Sequence, residues 1–417
     1  MNPNIFKKRN LLIVVCLLAS VTVSAIVIVG AQPRVPLHRL GYRDLGYPFF
    51  SEIPADGRYI TSLAAAADGR VYGATTGFRA YLFAFSPKTD QVKPLGYLPE
   101  CEGVHHSLVA GKDGRIFLGG GKNVIQPFII SKRSGGGLNW VSQDLWQQVE
   151  EQYRGYEGGH LYVYAHAQEE DAWREDKPLP VVDLGIPVPG DGIYCLAIDP
   201  EREILYGISY PHGHFFVHEV KSVSTQNLGT VFRDILFGGP DIRTLRSLPR
   251  NLAVDKDGSV YASTDGGKLI RYNPETKRIQ TLEATIPGEG MQVVEAWAVG
   301  DEVLYGGTSE GFIFRLSSGS QKVENLGKPL VGQRIRGLAL GKDGRLFGLG
   351  GDRHGVNQLF VHDPESRSFE VLGSVEVDRS PYYAWRAHQF DAMVTSADGT
   401  IFMGESDRGG HLFFFIP

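Results

Sequence analysis

Short apolar runs with a period of two recur along the chain from about residue 36 to its last residue, 417. Such alternation puts successive side chains on opposite faces of an extended strand, whereas a helix repeats every 3.6 residues. Two runs joined by a tight turn form a unit that occurs seven times. It reads LAAAADGRVYGAT at 63–75, LVAGKDGRIFLGG at 108–120, LAIDPEREILYGIS at 196–209 and LAVDKDGSVYAST at 252–264. It continues as AWAVGDEVLYGGT at 296–308, LALGKDGRLFGLG at 338–350 and AMVTSADGTIFMGE at 392–405. The Asp-Gly pairs beginning at 68, 113, 257, 343 and 398 predict hairpin turns in which glycine supplies the positive φ.

A third strand follows each unit, as in AYLFAFSP (80–87) or KLIRYNPE (268–275), and then a short fourth ending in Leu-Gly. The Leu-Gly pairs begin at 45, 95, 184, 228, 326 and 372, with Leu282 at the remaining place, a spacing mostly of 44–50 residues. Four short strands per period of that length predict a β-propeller. The last unit, ending HLFFFIP at 411–417, lacks a fourth strand, and YRDLG at 42–46 lacks the three that should precede it. The N-terminal strand is therefore expected to complete the C-terminal blade, which removes two free edges. The predicted fold class is all-β, a seven-bladed propeller of four-stranded blades over residues 36–417. The interval from Leu95 to Leu184 is about one blade too long. It locates an insertion at about 123–158, containing SGGG at 134–137 and a helix-compatible DLWQQVEEQYRGY at 144–156.

Composition adds three constraints. The chain is 42% hydrophobic and 21% charged with a net charge of −5, which excludes a general grip on nucleic acid by bulk charge. Lys7, Lys8 and Arg9 precede an apolar run from Leu11 to about Ala31, the pattern of an export signal. At about 20 residues the run also suits a retained membrane anchor. Residues 1–31 are read as one or the other, and both put the propeller outside the cytoplasm, with membrane contact through this segment alone. Cys101 and Cys195 are able to pair after export, but spacing in sequence does not place them within bonding distance.

In a propeller the innermost strands line a central channel, so the residues at their starts gather at one mouth. Those positions hold His105 and His106, Tyr194, Arg250, Glu295 with Trp297, Arg334 and Arg336, and Trp385, Arg386 and His388. The set is basic and aromatic on an acidic protein, which predicts attraction of a carboxylate or sulfate. A second group opens the third strands: His160 in GHLYVYAH, and Tyr210, His212 and His214 in SYPHGHFFVHEV. His212 and His214 are two apart, so a strand would aim both at one face, as half of a site for a single divalent metal ion.

Three of these elements carry a resemblance. His in GVHHSLVAGKDGRIF, His in GGHLYVY and Tyr in DGIYCLAID are similar to the seven-bladed polysaccharide lyases that cleave ulvan and rhamnose–glucuronate polymers. The resemblance implies β-elimination on an anionic polysaccharide or oligosaccharide, with His106, His160, Tyr194 and Tyr210 as catalytic residues. Tyr210 or His212 stands where that family has an arginine. The chemistry is coherent: a cation such as Arg250 neutralises the uronate carboxylate, a base takes the adjacent proton and an acid protonates the leaving oxygen. His105, Arg250, Arg336, Trp385, Arg386 and His388 are then the substrate-binding set. The alternatives are a non-catalytic ligand- or protein-binding propeller at the cell surface, and a metal-dependent lactonase-like hydrolase or quinone-type oxidoreductase. The last class needs channel carboxylates, of which Glu295 is the one identified.

Overall fold

Hairpin after hairpin, the strands assemble as the repeat predicts. The computed structural model describes residues 34–36, 38–45, 53, 57–122, 151–165, 178–231, 249–264, 267–288, 293–320, 322–330, 334–351, 357–380, 383–386, 389–406 and 410–417, with the backbone alone over 377–386. Residues 1–31, expected to direct export or anchor the chain, most of the expected insertion, His354 and His388 lie outside the described residues. Among the described residues the strands form seven four-stranded antiparallel sheets and one two-stranded hairpin. Blades one to six occupy 59–97, 108–185, 192–230, 253–285, 294–327 and 335–374, each running from its first strand outward in chain order. Blade seven joins Phe390–Thr395, Ile401–Glu405 and His411–Phe415 to Leu40–Asp44 from the start of the propeller. Leu40 pairs with Phe415 and Asp44 with His411, so the ring closes as expected.

Local chemistry explains both repeat marks. In the turns at Asp68, Asp113, Asp343 and Asp398 the carboxylate accepts the N–H two residues on, at 2.9 Å for Asp68 to Arg70 and 3.0 Å for Asp343 to Arg345. The glycine between them takes a positive φ, 83° at Gly69 and 81° at Gly344. The Leu-Gly mark is an outer-strand bulge. At Gly185, Gly229 and Gly327 the register slips, and Asp183, Asn227 and Asn325 accept the glycine N–H at 2.8, 2.8 and 2.9 Å.

Packing repeats as well. Gly73, Gly207, Gly306 and Gly348 on second strands face Phe83, Phe216, Phe314 and Phe360 on third strands. Each of these rings is fully buried and lies over its glycine; a Cβ on Gly73 would sit 2.1 Å from Phe83. The first strands contact one another around the ring, blade seven closing on blade one. They are therefore the inner wall.

One expectation is corrected. Trp385 and Arg386 are not at the start of an inner strand. They belong to Tyr383–Arg386, which pairs with Glu376–Ser380 as a hairpin between blades six and seven. Cys101 and Cys195 are separate buried free thiols, in the blade-one/two core and the blade-three core. Among the described residues no helix is long and apolar enough to cross a membrane.

Candidate axial site

The inner-strand runs open on Leu63, Leu108, Leu196, Leu252, Trp297, Leu338 and Met393. Two residues before each stands one polar residue or tyrosine: Thr61, His106, Tyr194, Arg250, Glu295, Arg336 and Asp391. Seven-fold repetition carries this one column to one level of the axis. The His106 N–H donates to the Thr61 carbonyl, and the His106 carbonyl accepts from Leu196, tying blades one, two and three together. His106 adopts φ 44°, a conformation that side-chain-bearing residues rarely hold without compensation from their surroundings.

On the opposite arc the ring is ionic. Arg250 reaches Asp391 Oδ1 at 2.6 Å and Glu295 Oε2 at 3.1 Å. Arg336 reaches the same Asp391 oxygen at 2.6 Å and donates from Nε to the Phe390 carbonyl at 3.1 Å. Arg334 adds a close ion pair with Glu295. Among the described residues three guanidiniums face two carboxylates in this buried cluster. Burial alone would raise Glu295, but Arg334, Arg250 and Arg336 outweigh it and hold it at about 2. Asp391 is likewise held well below the usual carboxylate range, by Arg336 and Arg250 against its burial. Burial lowers His106, and Arg250, His105 and Arg336 lower it further, so the imidazole is neutral at neutral pH despite Asp391. Burial raises Tyr194, keeping its phenol protonated.

Thr61, His106, Arg336 and Asp391 border an axial cavity of about 310 Å³. Its walls are the inner-strand apolar residues, among them Leu108, Leu252, Trp297, Leu338 and Met393. At the far ends of these strands Val109, Ile198 and Val254 are half-buried and Val299 is exposed. The cavity thus runs from these half-buried and exposed residues to the polar ring.

Tyr194 sits edge-on to His106, with ring centroids 6.0 Å apart, and continues a row through Tyr210 (5.9 Å), Tyr153 (5.6 Å) and Tyr156 (5.6 Å). Tyr153 and Tyr156 come from the described end of the insertion, which thus packs on blade three. His106, Tyr194, Arg250 and Arg336 are brought together as the sequence predicted, with Tyr210 one ring behind Tyr194.

Other predicted residues stand apart. His105 is 2% exposed, lies against Gly103, and does not line the cavity. His160 is removed from the axis because it opens a third strand. It stacks on Tyr162, pairs with Asp183 at 2.8 Å and lines a different cavity. His212 and His214 do not share a strand face. His212 lies in the turn after Pro211 and binds buried Asp191, while only His214 enters Asn227's strand pair. Among the described residues no group of three His, Cys, Asp or Glu side chains is placed to hold a metal ion. Asp391 was missed. It occupies the same repeat column as His106 and Arg336, so aligning all seven units two places ahead of the apolar opener identifies it.

No protein-family model matches the chain. No curated protein matches it in sequence. Solved structures match in fold. The extracellular domain of BT4673 from B. thetaiotaomicron superposes with TM-score 0.53 at 13% identity, over 91% of this chain and 40% of that one. This chain thus spans about two-fifths of that relative's length. A catalytically inactive virginiamycin B lyase from Staphylococcus aureus, bound to quinupristin, gives 0.57 at 9% identity over 91% and 99% of the two chains. The WD40 propeller domain of Doa1 gives 0.52 at 12% identity over 90% and 97%. At these identities the likeness is one of fold: the chain is an all-β, seven-bladed propeller, an architecture shared by proteins of unlike function.

Proposed function

We propose that this is an exported ligand-binding propeller whose axial cavity takes the end of an anionic, carboxylate-bearing saccharide. The observation that carries the reading is the convergence of three guanidiniums at the axis, with Arg336 bordering the cavity, in an otherwise acidic protein. A carboxylate is the natural complement of a fork of N–H donors already fixed in place by Asp391 and Glu295. The cavity is at the small end of ligand pockets, so it admits a terminal residue rather than the middle of a chain. Export rests on the basic flank and apolar run of residues 7–31.

A catalytic form of this reading is favoured by the contact of neutral His106 with protonated Tyr194. His106 is able to accept the proton beside a uronate carboxylate, and Tyr194 to protonate the departing oxygen, which together are β-elimination. Binding is the primary reading because His160, which the β-elimination reading also used, lines the other cavity.

Calorimetric titration with glucuronate and galacturonate oligosaccharides tests it. Binding is expected to weaken with salt, and Arg336→Lys, which keeps the charge and loses the fork, should reduce affinity about tenfold. No uptake of any uronate by folded protein would refute it. New ultraviolet absorbance from an unsaturated uronate, lost in His106→Ala, would establish the catalytic form.

A further inference from the structure

A second cavity, of about 580 Å³, lies off the axis where blade one meets blade two. It shares no lining residue with the axial cavity. Phe78, at its edge, is 75% exposed, the most exposed large hydrophobic side chain among the described residues. The two tyrosine faces nearby are already covered by cations: Arg79 lies over Tyr97 at 4.7 Å and Lys122 over Tyr156 at 5.7 Å. The Phe78 ring is therefore the open platform.

Among the described lining residues the charges balance. Arg79, Lys122 and Arg154 stand against Glu100, Glu102 and Glu157. A balanced rim has no net pull on an ion. It offers N–H donors and carboxylate acceptors in equal measure, which is what hydroxyl groups, being both donor and acceptor, require. The C–H face of a pyranose supplies the apolar partner for an exposed aromatic ring.

From these features we propose that the off-axis cavity binds a neutral sugar residue, stacked on Phe78 and hydrogen-bonded by the charged rim. The site is independent of the axial reading, since neither its residues nor its charge overlap.

The test is calorimetric titration of the full chain with maltohexaose, cellohexaose, mannohexaose and xylohexaose. At least one is expected to bind, and Phe78→Ala to weaken it about tenfold or more with an unchanged melting temperature. Arg154→Ala should weaken the same ligand. Uronate binding at the axis should survive Phe78→Ala, so the two sites fail separately. Absence of binding by all four, or a Phe78→Ala protein with wild-type affinity, would overturn the proposal.

Discussion

Asp391 shows how much one residue of the axial ring carries. It is 5% exposed and bonds Arg250 and Arg336 with one oxygen while accepting from Gln389 and Ser406 with the other. Removing it breaks a buried ion pair to each of two guanidiniums, and breaking such a pair typically costs about 3–5 kcal/mol. Urea denaturation of Asp391→Ala is expected to show a destabilisation of that order. Glu201→Ala, which breaks the exposed 2.7 Å pair with Lys112, should change stability by about 1 kcal/mol or less. Equal effects would mean that the axial ring is solvated. His106, Arg250 and Arg336 were legible in the sequence because basic residues are unusual at the start of a buried strand. Asp391 was not, because a single aspartate between apolar residues also reads as a loop.

At the scale of the element, the closing strand is held by more than its ladder. His411, fully buried on the third strand of blade seven, bonds Asp44 on the N-terminal strand at 2.9 Å and also pairs closely with Glu405. Burial lowers His411, but the Asp44 and Glu405 bonds and charges outweigh it, so its pKa is raised. A raised histidine contributes stability that is complete below its unfolded value of about 6.5 and is lost as pH climbs through the folded value. Wild type should therefore lose stability relative to His411→Gln as pH rises above about 6.5, read from urea midpoints. A pH-independent difference would show that the His411 pKa is the same in the folded and unfolded chain, and a difference of opposite sign that it is lowered on folding. The pairing of Leu40–Asp44 with His411–Phe415 followed from counting strands. The histidine latch did not, because Asp44 and His411 meet only when the two ends of the chain share a sheet. The hairpin that takes up Trp385 also lay beyond the repeat, since it belongs to no unit.

Across the whole molecule the inner strands enclose an axis, and each blade buries its faces against two neighbours. This arrangement separates Cys101 from Cys195 and shields both. Burial pushes the Cys101 thiol up to about 12 and raises Cys195 above the ordinary range. Thiolate, the reactive form, is then scarce. Neither thiol should be alkylated by iodoacetamide at about pH 8 in the native protein, and both should react in urea, as mass spectrometry would show. Rapid native labelling, or a disulfide between them, would contradict this arrangement.

Periodicity, turn chemistry and strand count were enough to establish the architecture from the sequence, because each is a local property copied seven times. The seven-blade ring, its closure and the gathering of His106, Tyr194, Arg250 and Arg336 at one level all follow from that repetition. Tertiary structure alone decided what those side chains do to one another: that the arginines are met by Glu295 and Asp391, that His160 opens into a different cavity, and that His212 turns to Asp191. The physical reason is distance. Position along an axis can be counted in residues, but radial position, partner choice and desolvation depend on neighbours brought from other blades.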